Sequence, residues 1–322
     1  MTQPRKIALV FFGLLAAGAV RLPMERSLTR ELRAGKLLPE PLPISTREKI
    51  GQTGAAVALG GLRTLVATFY NLRAYTAFTE DRWRDAEESF ETTVALAPAT
   101  TYYWLNGGWH IAYNAGHYYQ HVADLPPLRA REFWRASVHK GRSFLERGIR
   151  NNPGDWNIHA ELGRLLSDPN KIPAFNSPAA DGETTPHAAR ETATYQAAAD
   201  AYRAAMENGG PAYTARNWFY SLARIPGKEA EALALGETLA KSRVHRTPTL
   251  MGLLFVLRMH ADPARDPQAL AASLFTDDQR AYHSLSMIWT DRLEHYPVDG
   301  LSRILPILEK RLAIPPDKRI FK

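Results

Sequence analysis

The sequence predicts an all-α protein, built as a helical-repeat solenoid behind an N-terminal transmembrane or signal helix. Helical periodicity continues almost everywhere after Ser45, and no alternating run of apolar and β-branched residues indicates a strand. Small, aromatic and proline residues recur in the order typical of repeated helix pairs. With 322 residues, of which 45% are hydrophobic, the chain is long enough to bury several such pairs.

A short apolar segment lies close to the N-terminus, directly after two basic residues. The uncharged run from Ile7 to Val20 spans about 21 Å as a helix, whereas a bilayer core is about 30 Å thick. The run reaches Met24 if the intervening arginine extends to the membrane interface. We therefore expect residues 1–24 to form a signal anchor that enters the membrane through residues 7–24.

A cleaved signal peptide is the alternative interpretation of this segment, because Ala17-Gly18-Ala19 has the small-residue pattern of a cleavage site. Both interpretations place the remainder of the chain across the membrane. Residues 25–44 are expected to be a juxtamembrane linker. Within it, Glu25 to Leu38 is either a basic amphipathic helix or an ordinary connection, and the prolines that follow make a stiff spacer.

A helical-repeat domain is expected at residues 45–248. Its first segment is rich in small residues, but the uncharged part, Ile50 to Leu62, is too short for a second membrane span and predicts a packed helix. Residues 249–322 are expected to form a helical cap that begins with an apolar helix from Thr249 to His260. The polar and basic tail, Pro315 to Lys322, is expected to be frayed.

The clearest repeat runs from Ala67 to Pro98. An aromatic residue at Tyr70 and a small residue at Ala74 fit a first helix, and Ala86 and Phe90 fit a second helix after a short charged turn. Small residues let two helices cross closely, and large residues fill the space beside the crossing. This segment therefore predicts a tightly packed helical hairpin.

A second, longer unit follows. Trp104 and Gly108 occupy the aromatic and small positions of its first helix, and Gly141 begins the matching positions of its second. The unit ends at Pro153, which lies 55 residues after Pro98, whereas this kind of repeat is usually about 34 residues long. The added length predicts two extended helices.

Two further units are less regular. Gly163 fits a third first helix, and Tyr202 fits its second helix after a predicted long loop from Asp168 to Ala189, which contains several prolines. A fourth pair is expected at Tyr213 to Ala223 and Lys228 to Ser242, with a Pro-Gly turn between them.

These units resemble the tetratricopeptide repeat, closely at Ala67–Pro98 and more loosely as far as Ser242. The order of segments also resembles a family of bacterial envelope tetratricopeptide-repeat proteins, which have an N-terminal anchor and segments like Gly60-Gly61-Leu62-Arg63 and Trp109-His110-Ile111-Ala112-Tyr113-Asn114. The resemblance implies an interaction role without defined chemistry. It implies anchoring in the inner membrane with the repeats on the periplasmic side, or a soluble periplasmic protein if the signal is cleaved.

The densest aromatic segment of the chain runs from Tyr102 to His121. Tyrosine and tryptophan give a large contact area at small entropic cost, and the concave face of a solenoid usually binds the partner. We therefore expect this segment to contain a partner-binding surface. The expected residues are Tyr102, Trp104, Trp109, Tyr113 and Asn114.

Three histidines in the same segment support a different hypothesis. His117 and His121 are four residues apart and share a helix face, and His110 lies near that face. Two imidazoles at this spacing can hold a metal, so a metal-binding protein or enzyme that uses these histidines is an alternative. No acidic residue stands between them to complete a catalytic zinc motif, and ordinary aromatic packing also explains the segment.

Composition weighs against most other classes. The net charge of +7 is dispersed, which favours acidic surfaces but not nucleic acid. The absence of cysteine excludes disulfides and thiolate chemistry, and no phosphate loop or nucleophile elbow occurs. We therefore expect no catalytic residues, no cofactor and no small-molecule substrate. The predicted function is a membrane-tethered scaffold that binds an unidentified protein in an envelope complex for secretion, pilus assembly or transport. An accessory subunit that braces a membrane complex is a second alternative, beside the metal-binding protein or enzyme.

Overall fold

The computed structural model describes residues 62–176, 186–290 and 297–320. Within these ranges every regular element is a helix, so the predicted all-α class is confirmed. A π-helical turn lies at His110–Ala115, and 3₁₀ turns lie at Arg243–His245 and Pro316–Lys318. The α-helices are α1 (Arg63–Thr79), α2 (Trp83–Leu96), α3 (Thr101–Trp109), α4 (Gly116–His121), α5 (Pro127–Asn151), α6 (Trp156–Ser167), α7 (Ile172–Asn176), α8 (His187–Glu207), α9 (Ala212–Leu222), α10 (Glu229–Ala240), α11 (Pro248–Ala261), α12 (Pro267–Leu274), α13 (Asp278–Thr290) and α14 (Leu301–Arg311).

The predicted anchor at residues 1–24, the linker at 25–44 and the small-residue segment before α1 lie outside the described residues. In the part of the chain that the structure describes, no helix combines the length and the apolar character needed to cross a bilayer.

The chain divides into two compact units, Met1–Ile158 and His159–Lys322. The predicted boundary between the repeat domain and the cap was at residue 248 instead. The two divisions differ because α11, predicted to begin a separate cap, lies at the centre of the hydrophobic core of the second unit. Every residue of α11 from Leu250 to Leu257 is buried, together with side chains of α9 and α10.

Helices α1 and α2 form the first predicted hairpin. Ala67 and Ala74 of α1 are fully buried, as are Ala86 and Phe90 of α2, so the small residues lie at the helix contact as the motif requires. The turn between the helices places Asp81 at a φ of 57°. The predicted pattern of small and large residues therefore fixes the geometry of this pair.

The second hairpin brings α5 against the helix formed by α3, the π turn and α4. The contact is close: a Cβ atom at Gly141 would lie 2.5 Å from the Cβ atom of Ala112, and one at Gly108 would lie 2.7 Å from the Leu145 side chain. At Gly141, where the added Cβ atom would also meet the Ala112 backbone, only glycine permits this approach of the two helices. As predicted from the length of the unit, both helices are long, and α5 has 25 residues.

The third and fourth hairpins belong mainly to the second unit. Helix α6 meets α8 where a Cβ atom at Gly163 would lie 2.9 Å from the Tyr202 ring, and α9 meets α10 where one at Gly236 would lie 2.7 Å from the Phe219 ring. A small residue on one helix thus faces an aromatic residue on its partner in both pairs. The sequence placed Gly163 and Tyr202 on the two helices of one pair but did not predict their contact.

The predicted loop from Asp168 to Ala189 is wrong in its extent. Helix α7 forms inside it, because Ile172 and Phe175 are apolar and become buried. Helix α8 already begins at His187, and Arg190 Nε donates a hydrogen bond to the Asn176 carbonyl oxygen at 2.9 Å. The prolines predicted a loop, but burial of apolar side chains between them favoured a helix.

The C-terminal tail is also more ordered than predicted. Glu309 of α14 is a buried carboxylate that accepts hydrogen bonds from the backbone nitrogen of Ile320 at 2.7 Å and from the Tyr282 hydroxyl at 3.3 Å. Arg319 Nε donates to the Ile314 carbonyl oxygen at 2.9 Å. The tail is held as far as residue 320, so the expectation of a frayed segment is wrong there.

Candidate interaction surface

The first helices of the first two hairpins carry exposed aromatic side chains. Tyr75 of α1 is 58% exposed and Trp109 at the end of α3 is 41% exposed. They are 34 residues apart, which equals the usual length of the tetratricopeptide repeat that the sequence resembles. Helices α1 and α3 lie side by side, since the Thr68 and Tyr103 hydroxyl groups are 3.1 Å apart and Asn106 Nδ2 donates to Asn71 Oδ1 at 3.3 Å.

The structure brings most of the predicted partner-binding residues to this face. Tyr102 is exposed and packs edge-on against the Tyr103 ring, with 5.7 Å between ring centroids. The rings of Trp109 and Tyr113 stack with centroids 4.5 Å apart and planes within 14° of parallel. Tyr113 and Asn114 are half-buried. Stacking holds the exposed indole in one orientation.

The assignment of Trp104 to the binding surface is corrected by the structure. Trp104 is 3% exposed, and its Nε1 atom donates to the Pro98 carbonyl oxygen at 2.8 Å. Its ring packs against Phe144 with 5.0 Å between centroids. The physical reason lies in the second hairpin: Gly148 leaves the space that the indole fills. Trp104 is a core residue.

An apolar stripe on α1 was not predicted. Leu65, Phe69 and Leu72 are all exposed by more than half, and their spacing of four and three residues places them on one face of the helix. The sequence does show that α1 has apolar residues on two faces, this one and the buried face that carries its alanines. Periodicity alone does not say which of two apolar faces remains uncovered.

The π-helical turn at His110–Ala115 lies at the aromatic stack. Its i→i+5 hydrogen bonding widens this turn of the helix. Trp109 immediately precedes the turn and Tyr113 lies within it, and the two rings are nearly parallel. Such turns are frequent at functional sites, and this one lies within the predicted aromatic segment.

The three predicted metal-ligating histidines do not come together as one group. His110 is buried and stacks on the Phe90 ring with 5.5 Å between centroids, and its Nδ1 atom lies 2.9 Å from Asn114 Nδ2. Burial lowers the pKa of His110, so its imidazole is neutral at pH 7. His117 and His121 are neighbours, with 4.8 Å between ring centroids. Across the described ranges, no three His, Asp or Glu side chains are arranged to hold a metal ion.

A charged groove runs between α2 and α5, with Ile111 of the π turn in its wall and a volume of about 720 Å³. Two ion pairs cross it: Lys140 Nζ lies 2.6 Å from Glu87 Oε2, and Arg147 Nη2 lies 2.5 Å from Glu91 Oε1. Partly exposed pairs of this kind contribute little stability. They link the second helices of the first two hairpins, whereas the aromatic residues lie on the first helices.

Comparison of the chain with protein-family models, with curated proteins and with solved structures found no match.

Proposed function

We propose that this protein is a non-enzymatic interaction scaffold that binds a protein partner through the aromatic face of α1 and α3. The observation that carries the proposal is the pair Tyr75 and Trp109, exposed at positions one repeat length apart. Repeat proteins bind partners through residues that recur on corresponding helices. A recurring exposed aromatic position is therefore better explained by contact with a partner than by folding of the chain itself.

The chemistry of the face indicates an apolar partner segment. Tyr75, Trp109 and the exposed Tyr102 offer flat aromatic surface, and the stack of Trp109 on Tyr113 restricts the indole before binding. A side chain that is already ordered loses less conformational entropy in a complex. An amphipathic helix with aliphatic or aromatic residues on one side would bury these rings along the face.

The wider arrangement is part of the same proposal. The helical hairpins are tetratricopeptide-like repeats that stack as a solenoid, and residues 7–24 tether the chain to the inner membrane with the repeats in the periplasm. Support comes from the position of small and aromatic residues at each helix contact, such as Gly163 with Tyr202, and from the basic and apolar N-terminus. In this arrangement the scaffold serves an envelope complex for secretion, pilus assembly or transport.

Site-specific photocrosslinking in cells tests the proposal. A photoreactive phenylalanine analogue is placed at position 75, at position 109 and, as a control, at Leu128, which is 79% exposed on α5. We expect the same partner to crosslink from positions 75 and 109 and not from position 128. Different partners at the two positions, or equal crosslinking from the control, would contradict binding by this face.

Substitution provides the second arm of the test. Exchanging both Tyr75 and Trp109 for serine removes the aromatic surface, and we expect co-purification of the crosslinked partner to fall at least about tenfold, as is typical when two anchoring residues are lost. Leu128→Ser removes a comparably exposed apolar side chain and should leave co-purification unchanged. Circular dichroism verifies that each variant is folded, so that a lost interaction is not mistaken for lost structure.

A further inference from the structure

A polar cavity lies in the second unit, beside α9. Its volume is about 460 Å³, and small-molecule sites typically measure about 300–1,000 Å³. Asn217, Tyr220 and Ser221 line it from α9, where their spacing of three and four residues puts them on one face, and Arg224 lines it from the turn after that helix. Residues from α6, α8, α11 and α13 form the other walls.

Ser221 is the most unusual group at this cavity. It is 1% exposed, and its Oγ atom has no hydrogen-bond partner in the described part of the chain. A helical serine or threonine commonly donates to the carbonyl group four residues earlier, as Thr93 does to Ser89 at 2.8 Å. An unpaired buried hydroxyl group costs stability. A ligand atom that accepts a hydrogen bond at the cavity wall would remove this cost.

Each polar side chain that lines the cavity carries at least one hydrogen-bond donor. Arg224 contributes a positive charge, and its guanidinium carbon lies 5.4 Å from the centroid of the Tyr195 ring. Burial raises the pKa of the Tyr202 and Tyr220 hydroxyl groups, so both stay protonated at neutral pH. None of the described residues that line this cavity is a carboxylate. An anionic acceptor therefore suits the cavity, and a cation does not.

The far wall is apolar, because Met287 and Ile288 of α13 line it. We propose that this cavity binds a small organic monocarboxylate, with its carboxylate group at Ser221 and Arg224 and its apolar body against Met287 and Ile288. Sequence patterns did not predict a small-molecule ligand, because the residues that line the cavity come from five separate helices. The proposal is independent of the aromatic face and does not rest on the proposed scaffold function.

Fluorine NMR on the purified full chain in detergent micelles tests the proposal. The probe is 4-fluorophenylacetate, and 4-fluorophenylacetamide is the neutral control of the same shape. We expect the protein to broaden the carboxylate probe and not the amide, and unlabelled short-chain monocarboxylates to reverse the broadening. No broadening beyond that with micelles alone, or equal broadening of the amide, would overturn the proposal.

Variants locate the binding. Arg224→Gln should weaken it about tenfold, the size of one lost charge-assisted hydrogen bond, and Ser221→Ala should weaken it less. Glu191 borders Arg224 in a neighbouring cavity, so Glu191→Gln should strengthen binding by removing a competing carboxylate. Arg216→Gln is the matched control, because Arg216 lies on α9 and donates to the Val244 carbonyl oxygen at 3.0 Å. Binding that is unaffected by the Arg224 and Ser221 changes lies elsewhere and refutes the assignment.

Discussion

Replacing Gly141 with alanine tests how closely α5 crosses the first helix of its hairpin. A Cβ atom at this position would lie 2.5 Å from the Ala112 Cβ atom and 3.0 Å from the Ala112 backbone nitrogen. Neither atom can rotate away, so the helices must separate. Overpacking costs about 1–3 kcal/mol, and alanine in place of glycine otherwise favours a helix by up to about 1 kcal/mol. We expect a net destabilisation of about 0.5–2 kcal/mol.

Thermal unfolding of the full chain, followed by circular dichroism, measures this loss. In a unit of this size, 1 kcal/mol corresponds to about 2–4 °C in Tm. Ala136→Gly at an exposed position of α5 measures the helix-propensity contribution by itself. Gly108→Ala should cost less than Gly141→Ala, because the nearest atoms belong to the Leu145 side chain, which can change rotamer. A Gly141→Ala variant as stable as the parent, or more stable, would refute this close crossing.

Two further predictions concern titratable groups in the core. Burial lowers the pKa of His110, so in acid the unfolded chain binds more protons than the folded chain. The stability that the neutral His110 contributes should be complete above about pH 6.5 and should be lost as the pH falls below it. His110→Phe should reduce this loss in unfolding measurements between pH 7 and pH 5. An unchanged pH dependence of the free energy of unfolding would contradict the prediction. Glu309→Gln should weaken the bonds to Tyr282 and Ile320 and speed proteolysis of the C-terminal tail, whereas Glu231→Gln, at a partly exposed ion pair, should not.

The sequence predicted the helix contacts of the first two hairpins because they depend on small and large residues at helical spacing. Ala74, Phe90 and Gly141 were expected at helix contacts, and each is buried there. Such contacts are encoded locally: a small residue and a large one, placed on helices that follow one another in the chain, determine which faces meet. The all-α class followed from the same periodicity.

The features that the sequence did not reveal depend on contacts between distant segments. Leu65 and Phe69 are apolar at helical spacing, yet they are exposed, because periodicity identifies a face and not the element that covers it. Ser221 lines a cavity only because α9 meets helices that are far away in the chain. Trp104 is of a residue type that is common at binding surfaces, but its side chain fills the space beside Gly148.

The π turn has a consequence for how the second hairpin tolerates changes in length. Each residue added to or removed from an α-helix rotates everything after it by about 100°. Tyr118 and Tyr119 follow the π turn and reach opposite neighbours: Tyr118 lies 6.0 Å from the Trp83 ring, and Tyr119 stacks on Phe133 at 5.0 Å. The widened turn absorbs an extra residue that would otherwise rotate both rings off their partners. A one-residue insertion can thus persist inside a continuous helix, with the helix before it and the helix after it each keeping its own register.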